Sequence, residues 1–195
     1  MSTKIVTWDD YQAAAMLTRL YPRITGKDGQ ALPVYPALAA MGEVAEFIEK
    51  VFRTMEAREA QLKELGDVLW YITAASVDLG CSLGDLHWAS YYKHMQYAGE
   101  FALWSSLTHP QWMDHYAKGL TVHLGTFSEI VKKAWRDQTP LDTEHCLFQL
   151  SKALRALTGC ARALDSHLGE VAQLNIDKLT SRRERGVVHG SGDNR

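Results

Sequence analysis

Two stretches of the chain set carboxylates three residues apart inside apolar helical runs, and they restrict the fold more than any other feature. GEVAEFIEKVFR (42–53) carries Glu43, Glu46 and Glu49, and ELGDVLWY (64–71) carries Glu64 and Asp67. On a helix, positions three and four apart share a face. Glu43 therefore projects with Glu46, and Glu64 with Asp67, while Glu49 drifts to one side. Four carboxylates brought together by a turn-linked antiparallel helix pair would repel by roughly several kcal/mol at an effective dielectric near 20. A divalent cation removes that penalty, and an oxygen-only donor set favours Mg²⁺ or Mn²⁺ over zinc. The competing reading is a solvated face in which Lys50 and Arg53 pair with Glu46 and Glu49 at i, i+4. The apolar flank Val68, Leu69, Trp70 and Tyr71 favours the metal, because it implies a partly buried Asp67, and buried acids have partners.

The rest of the chain reads as helix. WDDYQAAAMLTRL (8–20) has acids in its first turn and an alanine-rich body. Residues 23–36 form a loop with Gly26, Gly29, Pro33 and Pro36. A helix over about 36–54 has Leu38, Met41, Ala45, Ile48 and Phe52 as its core stripe, and one over 62–79 has Leu65, Leu69, Ile72 and Val77. Gly80 suits the position after that helix. Further helices are expected over 84–106, 110–136 with a break near Gly119 or Gly125, 142–165 and 168–185. No alternating run bounded by turn signals points to strand, so the fold class is all-α, a helical bundle.

The chain also repeats itself. GTFSEIVKKAWR (125–136) aligns with 42–53, and LDSHLGEV (164–171) with LGCSLGDL (79–86). In the second copy Glu43 becomes Thr126, Glu64 becomes Gln149 and Asp67 becomes Lys152, while Glu129 keeps the carboxylate opposite Glu46. The first copy has Ser90 and Lys93 where the second has Asn175 and Lys178. The organisation expected is one all-α domain over 1–195: an acid-bearing repeat (1–93), a degenerate repeat (94–185) and a glycine-rich basic tail (186–195), arranged as a tandem pseudo-dimer.

Composition excludes some classes of partner. Lys plus Arg is 21 against 23 Asp plus Glu, a net charge of −2, which argues against bulk nucleic-acid or membrane binding. Residues 178–195 nevertheless carry Lys178, Arg182, Arg183, Arg185 and Arg195 against Glu184 and Asp193. An acidic cluster with a basic tail suits an anionic ligand that arrives with a cation. Cys81, Cys146 and Cys160 lack metal or disulfide spacing and read as buried thiols. Without a leader-like start or a long apolar run, the chain reads as soluble and cytoplasmic.

GEVAEFIEK followed by ELGDVLWY, with the lead-ins YQAAAMLTRLYP and VYPALAAMGE and the ending NIDKLTSRRERGVVHGSGDNR, resembles the MazG-like all-α nucleoside triphosphate pyrophosphohydrolases, relatives of the dimeric dUTPases. The likeness covers about 1–86 and 168–195 and is closest to the small phage and bacterial members. It implies metal-dependent cleavage of a nucleotide between the α and β phosphates, giving a nucleoside monophosphate and pyrophosphate. Glu43, Glu46, Glu64 and Asp67 match the metal ligands. Gly42 stands where the fuller motif has a further glutamate, which leaves the number of ions open. Asn175, Lys178 and Arg182 match an N-x-x-K-x-x-x-R pattern. Lys178 and Arg182 would grip phosphate, joined by Arg185 and by Arg195 of the basic tail, and Asn175 would bond sugar or base. Gly186, Gly190 and Gly192 would let backbone N–H groups approach a phosphate. Glu46 is the expected proton acceptor.

The six tryptophans read as core, with Trp70 or Trp88 as a wall on which a base could stack. The pairs His109/His115 and His87/His94 lack metal-ligand spacing and read as ordinary histidines. A helical module that senses nucleotide without cutting it is the alternative function. The base and sugar preference and homo-oligomerisation stay open.

Overall fold

Thr7 starts the first helix with a reciprocal cap: its hydroxyl oxygen accepts from the Asp10 N–H (3.1 Å), and the Asp10 carboxylate accepts from the Thr7 N–H (2.9 Å). The computed structural model describes residues 7–95 and 108–185. Helix α1 is Trp8–Met16. It stops short of the expected 8–20 because Thr18 Oγ1 bonds the Ala15 carbonyl (2.7 Å) and closes the last turn. The expected loop over 23–36 contains a two-residue antiparallel ladder, β1 Ile24–Thr25 with β2 Ala31–Leu32, in the register Ile24↔Leu32. Gly29 makes its turn at φ +79°. Such a short ladder has no alternating pattern to announce it.

Helix α2 is Val34–Ile48, continuing as a π-helical turn over Glu49–Arg53. Helix α3 is Arg58–Asp78, α4 Leu83–Met95, α5 His109–Asp137, α6 Thr143–Ala163 and α7 Leu168–Glu184. The fold is all-α. Helix α5 runs through Gly119 and Gly125 without the expected break; Gly119 lies where α5 meets Ala156 of α6. The part of the expected 84–106 helix beyond α4, the tail 186–195 with its glycines, and Trp104 and Arg195 all lie outside the described residues.

The α2 core stripe differs from the expected one. Val34, Ala37, Ala40, Val44 and Phe47 are buried, whereas Leu38 is 69% exposed and Ala45 and Phe52 are also exposed. Both stripes keep helical spacing, and only the neighbouring helices select between them. On α3, Leu65, Leu69 and Ile72 are fully buried as expected. Trp88 and Trp135, expected in the core, are exposed.

The helices interlock reciprocally: α2 packs on α3 and α5 on α6, while α7 crosses to α3 and α4 crosses to α6. The turns match as well. After α3, Gly80 has φ +74° and its N–H bonds Val77 O, while the Cys81 N–H bonds Ser76 O. After α6, Asp165 has φ +52° and its N–H bonds Arg162 O, while the Ser166 N–H bonds Ala161 O. Met55 (φ +48°) and Gln138 (φ +55°) close the preceding helices in the same left-handed conformation.

Candidate metal centre

Helix α2 supplies Glu43, and α3 supplies Glu64 and Asp67, one turn apart on a single face. One carboxylate oxygen from each of the three lies within 4.8 Å of the others. Glu64 is only 2% exposed. Three of the four expected ligands therefore converge. Glu46 is exposed and stands outside this trio, yet close enough for its charge to act on Glu43. Burial pushes the Glu43 carboxyl up to about 8, helped by the charges of Asp67, Glu46 and Glu64 and opposed by Lys178. Glu49 is exposed and pairs with Arg53 (3.1 Å), an ordinary solvated contact.

Lys50 does not pair with Glu46 as its spacing suggested. The π-helical turn carries its ammonium to Glu64, 2.5 Å away. Helix α7 closes the other side. Lys178 binds Asp67 Oδ2, and Asn175 Nδ2 donates to Asp67 Oδ1 (3.0 Å). The Tyr11 hydroxyl donates to Asn175 Oδ1 (2.9 Å), which fixes the amide so that its NH₂ faces the carboxylate. Burial raises the Tyr11 hydroxyl well above its ordinary pKa, with the Asp67 charge adding to it, so it stays a donor. Thus Asn175 and Lys178 meet the acid cluster and both hold Asp67 there, where contacts to sugar or base and to phosphate were expected of them. Arg182, one turn beyond Lys178, is buried; Arg185 is exposed and bonds the Ser181 carbonyl (3.3 Å).

Besides Lys50, Tyr11 and Gly66 take part in the site without being among the residues expected there. Nothing in YQAAAM announces Tyr11. Gly66 does carry a signal, being a glycine between two functional acids on a helix. A Cβ there would sit 2.9 Å from Asn175 Cβ and 3.4 Å from the Val171 carbonyl, so its absence lets α7 approach closely enough for Asn175 to reach Asp67.

Trp70 is a core residue. Its indole N–H bonds Ala15 O and Thr18 Oγ1, both at 3.0 Å, and it is 8% exposed, so it offers no open face to a base. The aromatic surface lies beside it. Tyr35, 47% exposed, stacks on Tyr21 (4.7 Å, 23°) and lies 6.1 Å from the Tyr71 ring. The Tyr71 hydroxyl is raised by burial, by Tyr35, and by the charges of Glu43 and Asp67. The aromatic group therefore adjoins the acids.

The chain is 34% identical over 87 residues to the Gene 37 protein of Mycobacterium phage L5, an alignment spanning 43% of this chain and 76% of the phage protein. The chain belongs to the family of that phage protein. No protein-family model and no solved structure matches it. Membership of the Gene 37 family names no activity, so the chemistry is read from the carboxylates and their partners. Three oxygen donors from two rigid helices fit a hard divalent cation. Burial first, and the neighbouring carboxylates second, raise the Glu43 carboxyl.

The residues of α5 and α6 that align with the acids in sequence have a different chemistry. Gln149 is buried between His123 Nδ1 (2.9 Å) and His145 Nε2 (3.0 Å). Burial lowers the Lys152 pKa, and its ammonium lies 5.6 Å from the Phe148 ring centre. Glu129 is exposed against Lys132 and Lys133. Cys146 and Cys160 are buried thiols, and burial pushes Cys146 up to about 12. No described helix is long and apolar enough to cross a membrane.

Proposed function

We propose that the chain is a metal-dependent nucleoside triphosphate pyrophosphohydrolase that cleaves between the α and β phosphates. The observation that carries this reading is the convergence of Glu43, Glu64 and Asp67 beside Lys178 and Asn175. The resemblance of the same residues to the MazG-like hydrolases supports it. Glu43, Glu64 and Asp67 would hold Mg²⁺ or Mn²⁺, which when bound neutralises phosphate charge and acidifies water. Glu46, exposed next to Glu43, takes the proton as the water oxygen bonds the α phosphorus. The bond from that phosphorus to the bridging oxygen breaks, and pyrophosphate leaves with the electron pair. Lys178, beside Asp67, would offer a cationic donor to the phosphates, with Arg182 buried one turn behind it. Tyr35 and Tyr71, rather than the enclosed Trp70, provide the wall for a base.

The reciprocal packing and matched turns support an internal duplication with one working site, its acids from the first copy and Asn175, Lys178 and Arg182 from the second. One observation favours a non-cutting nucleotide sensor: Glu64 and Asp67 already have lysine partners. The decisive experiment is release of pyrophosphate and monophosphate with Mg²⁺ across a panel of ribo- and deoxynucleoside triphosphates. Cleavage of at least one, abolished by chelation, is expected. Nucleotide binding without cleavage across the whole panel supports the sensor instead.

A further inference from the structure

Lys50 is placed by two contacts from α3. Buried Gln61 donates from Nε2 to the Lys50 carbonyl (3.5 Å) and to the Glu56 carbonyl (2.7 Å), which ties the π-helical turn to α3. One helical turn further on, Glu64 accepts from the Lys50 ammonium at 2.5 Å. The turn itself is irregular: the Thr54 N–H bonds Glu49 O, and the Glu56 N–H bonds Lys50 O. Inserted turns of this kind re-aim side chains at functional sites. The other half has none of this. Helix α5 runs on without a π turn, and Lys133, which aligns with Lys50, lies exposed against Glu129 (3.4 Å). A π turn, an anchoring glutamine and a buried acid thus serve to place one ammonium among the carboxylates. Its side chain is 16% exposed, at the edge of the cluster.

An ammonium at 2.5 Å from a candidate metal ligand competes with a metal for that oxygen. We propose that Lys50 is the resident counter-cation of this centre, gives up Glu64 when a divalent cation binds, and then becomes a ligand for the phosphates of the anionic substrate. The inference rests on the metal-dependent reading above. Gln61 keeps the backbone of the released lysine next to the cluster.

The test uses the full chain, with Mg²⁺ alone and then Mg²⁺ with inorganic pyrophosphate, by titration calorimetry on the wild type and Lys50→Met. Removing the competitor should tighten Mg²⁺ about tenfold, in keeping with loss of one charge-assisted hydrogen bond. The same variant should bind pyrophosphate with Mg²⁺ several-fold more weakly. A structural salt bridge alone would not move the two affinities in opposite directions. Because Glu64 is buried and Lys50→Met could unfold, acetylation footprinting of the wild type supplies an independent reading: Lys50 should be protected without Mg²⁺ and become reactive with it. Unchanged or weaker Mg²⁺ affinity in the variant, unchanged pyrophosphate affinity, or Lys50 reactivity indifferent to Mg²⁺ overturns this inference alone. No Mg²⁺ binding by either protein overturns the metal centre as well.

Discussion

The helix trio α2–α4 and the trio α5–α7 contain similar turns and differ in charge. Helices α3 and α6 are both 21 residues long, and each ends in the same hydrogen-bonded left-handed turn. Yet α3 presents Glu64 and Asp67 where α6 presents Gln149 and Lys152, and α2 ends in a π-helical turn where α5 stays regular. Left-handed turns and buried apolar stripes occur in both trios. The carboxylate centre needs further, local devices: Gly66 to admit α7, Tyr11 to orient Asn175, and Gln61 to hold Lys50.

The strongest challenge to this asymmetry compares Glu46 with Glu129. As a proton acceptor, Glu46 replaced by Gln should lose on the order of 10²–10⁴-fold in turnover. Glu129→Gln should stay within about twofold, being an exposed surface pair. Equal losses in a pyrophosphate-release assay would break the single-site picture.

Two glycines sharpen the contrast between frame and site. At Gly159 on α6, a Cβ would sit 2.3 Å from the Tyr116 ring, so Gly159→Ala should destabilise by about 1–3 kcal/mol through overpacking. At Gly66 the obstacle is Asn175 itself. Gly66→Ala should therefore weaken Mg²⁺ binding as well as stability, whereas Gly159→Ala should leave Mg²⁺ affinity intact. Chemical denaturation and calorimetry on the same samples distinguish the two.

The acidic half should also carry a pH dependence. Glu43 holds its proton up to about 8 in the folded chain against 4.5 ordinarily, so the folded chain binds more protons than the unfolded chain between those values. The stability from this group is complete below about 4.5 and is lost as pH rises through about 8. For the metal-free protein this predicts a decline of about 1–2 kcal/mol over that window, after allowance for solvent screening. Glu43→Gln should flatten it, and an unchanged thermal-melt pH profile would count against a buried, charge-crowded Glu43.

The smallest effects are expected at the turns. Asp165→Gly relieves a left-handed non-glycine residue and should stabilise by under about 1 kcal/mol, while Gly80→Ala at the matching turn should destabilise by about 1 kcal/mol. Opposite signs in thermal melts would support a shared turn geometry; equal signs would not.

Much of this is legible in the sequence by itself. Helical spacing, the lack of strand alternation and the turn signals at Thr108 and Gly80 suffice for an all-α fold, because they act within a turn or two of chain. The pairing of Glu64 with Asp67, and the relation of Asn175 to Lys178, are likewise local. What the tertiary structure alone decided depends on contacts far apart in sequence. It chose which of two apolar stripes of α2 is buried, left Glu46 outside the carboxylate trio, enclosed Trp70 while exposing Trp88, and turned Lys50 from Glu46 to Glu64. Each of these follows from the packing of a second helix, and no periodicity within one helix specifies which neighbour it will meet.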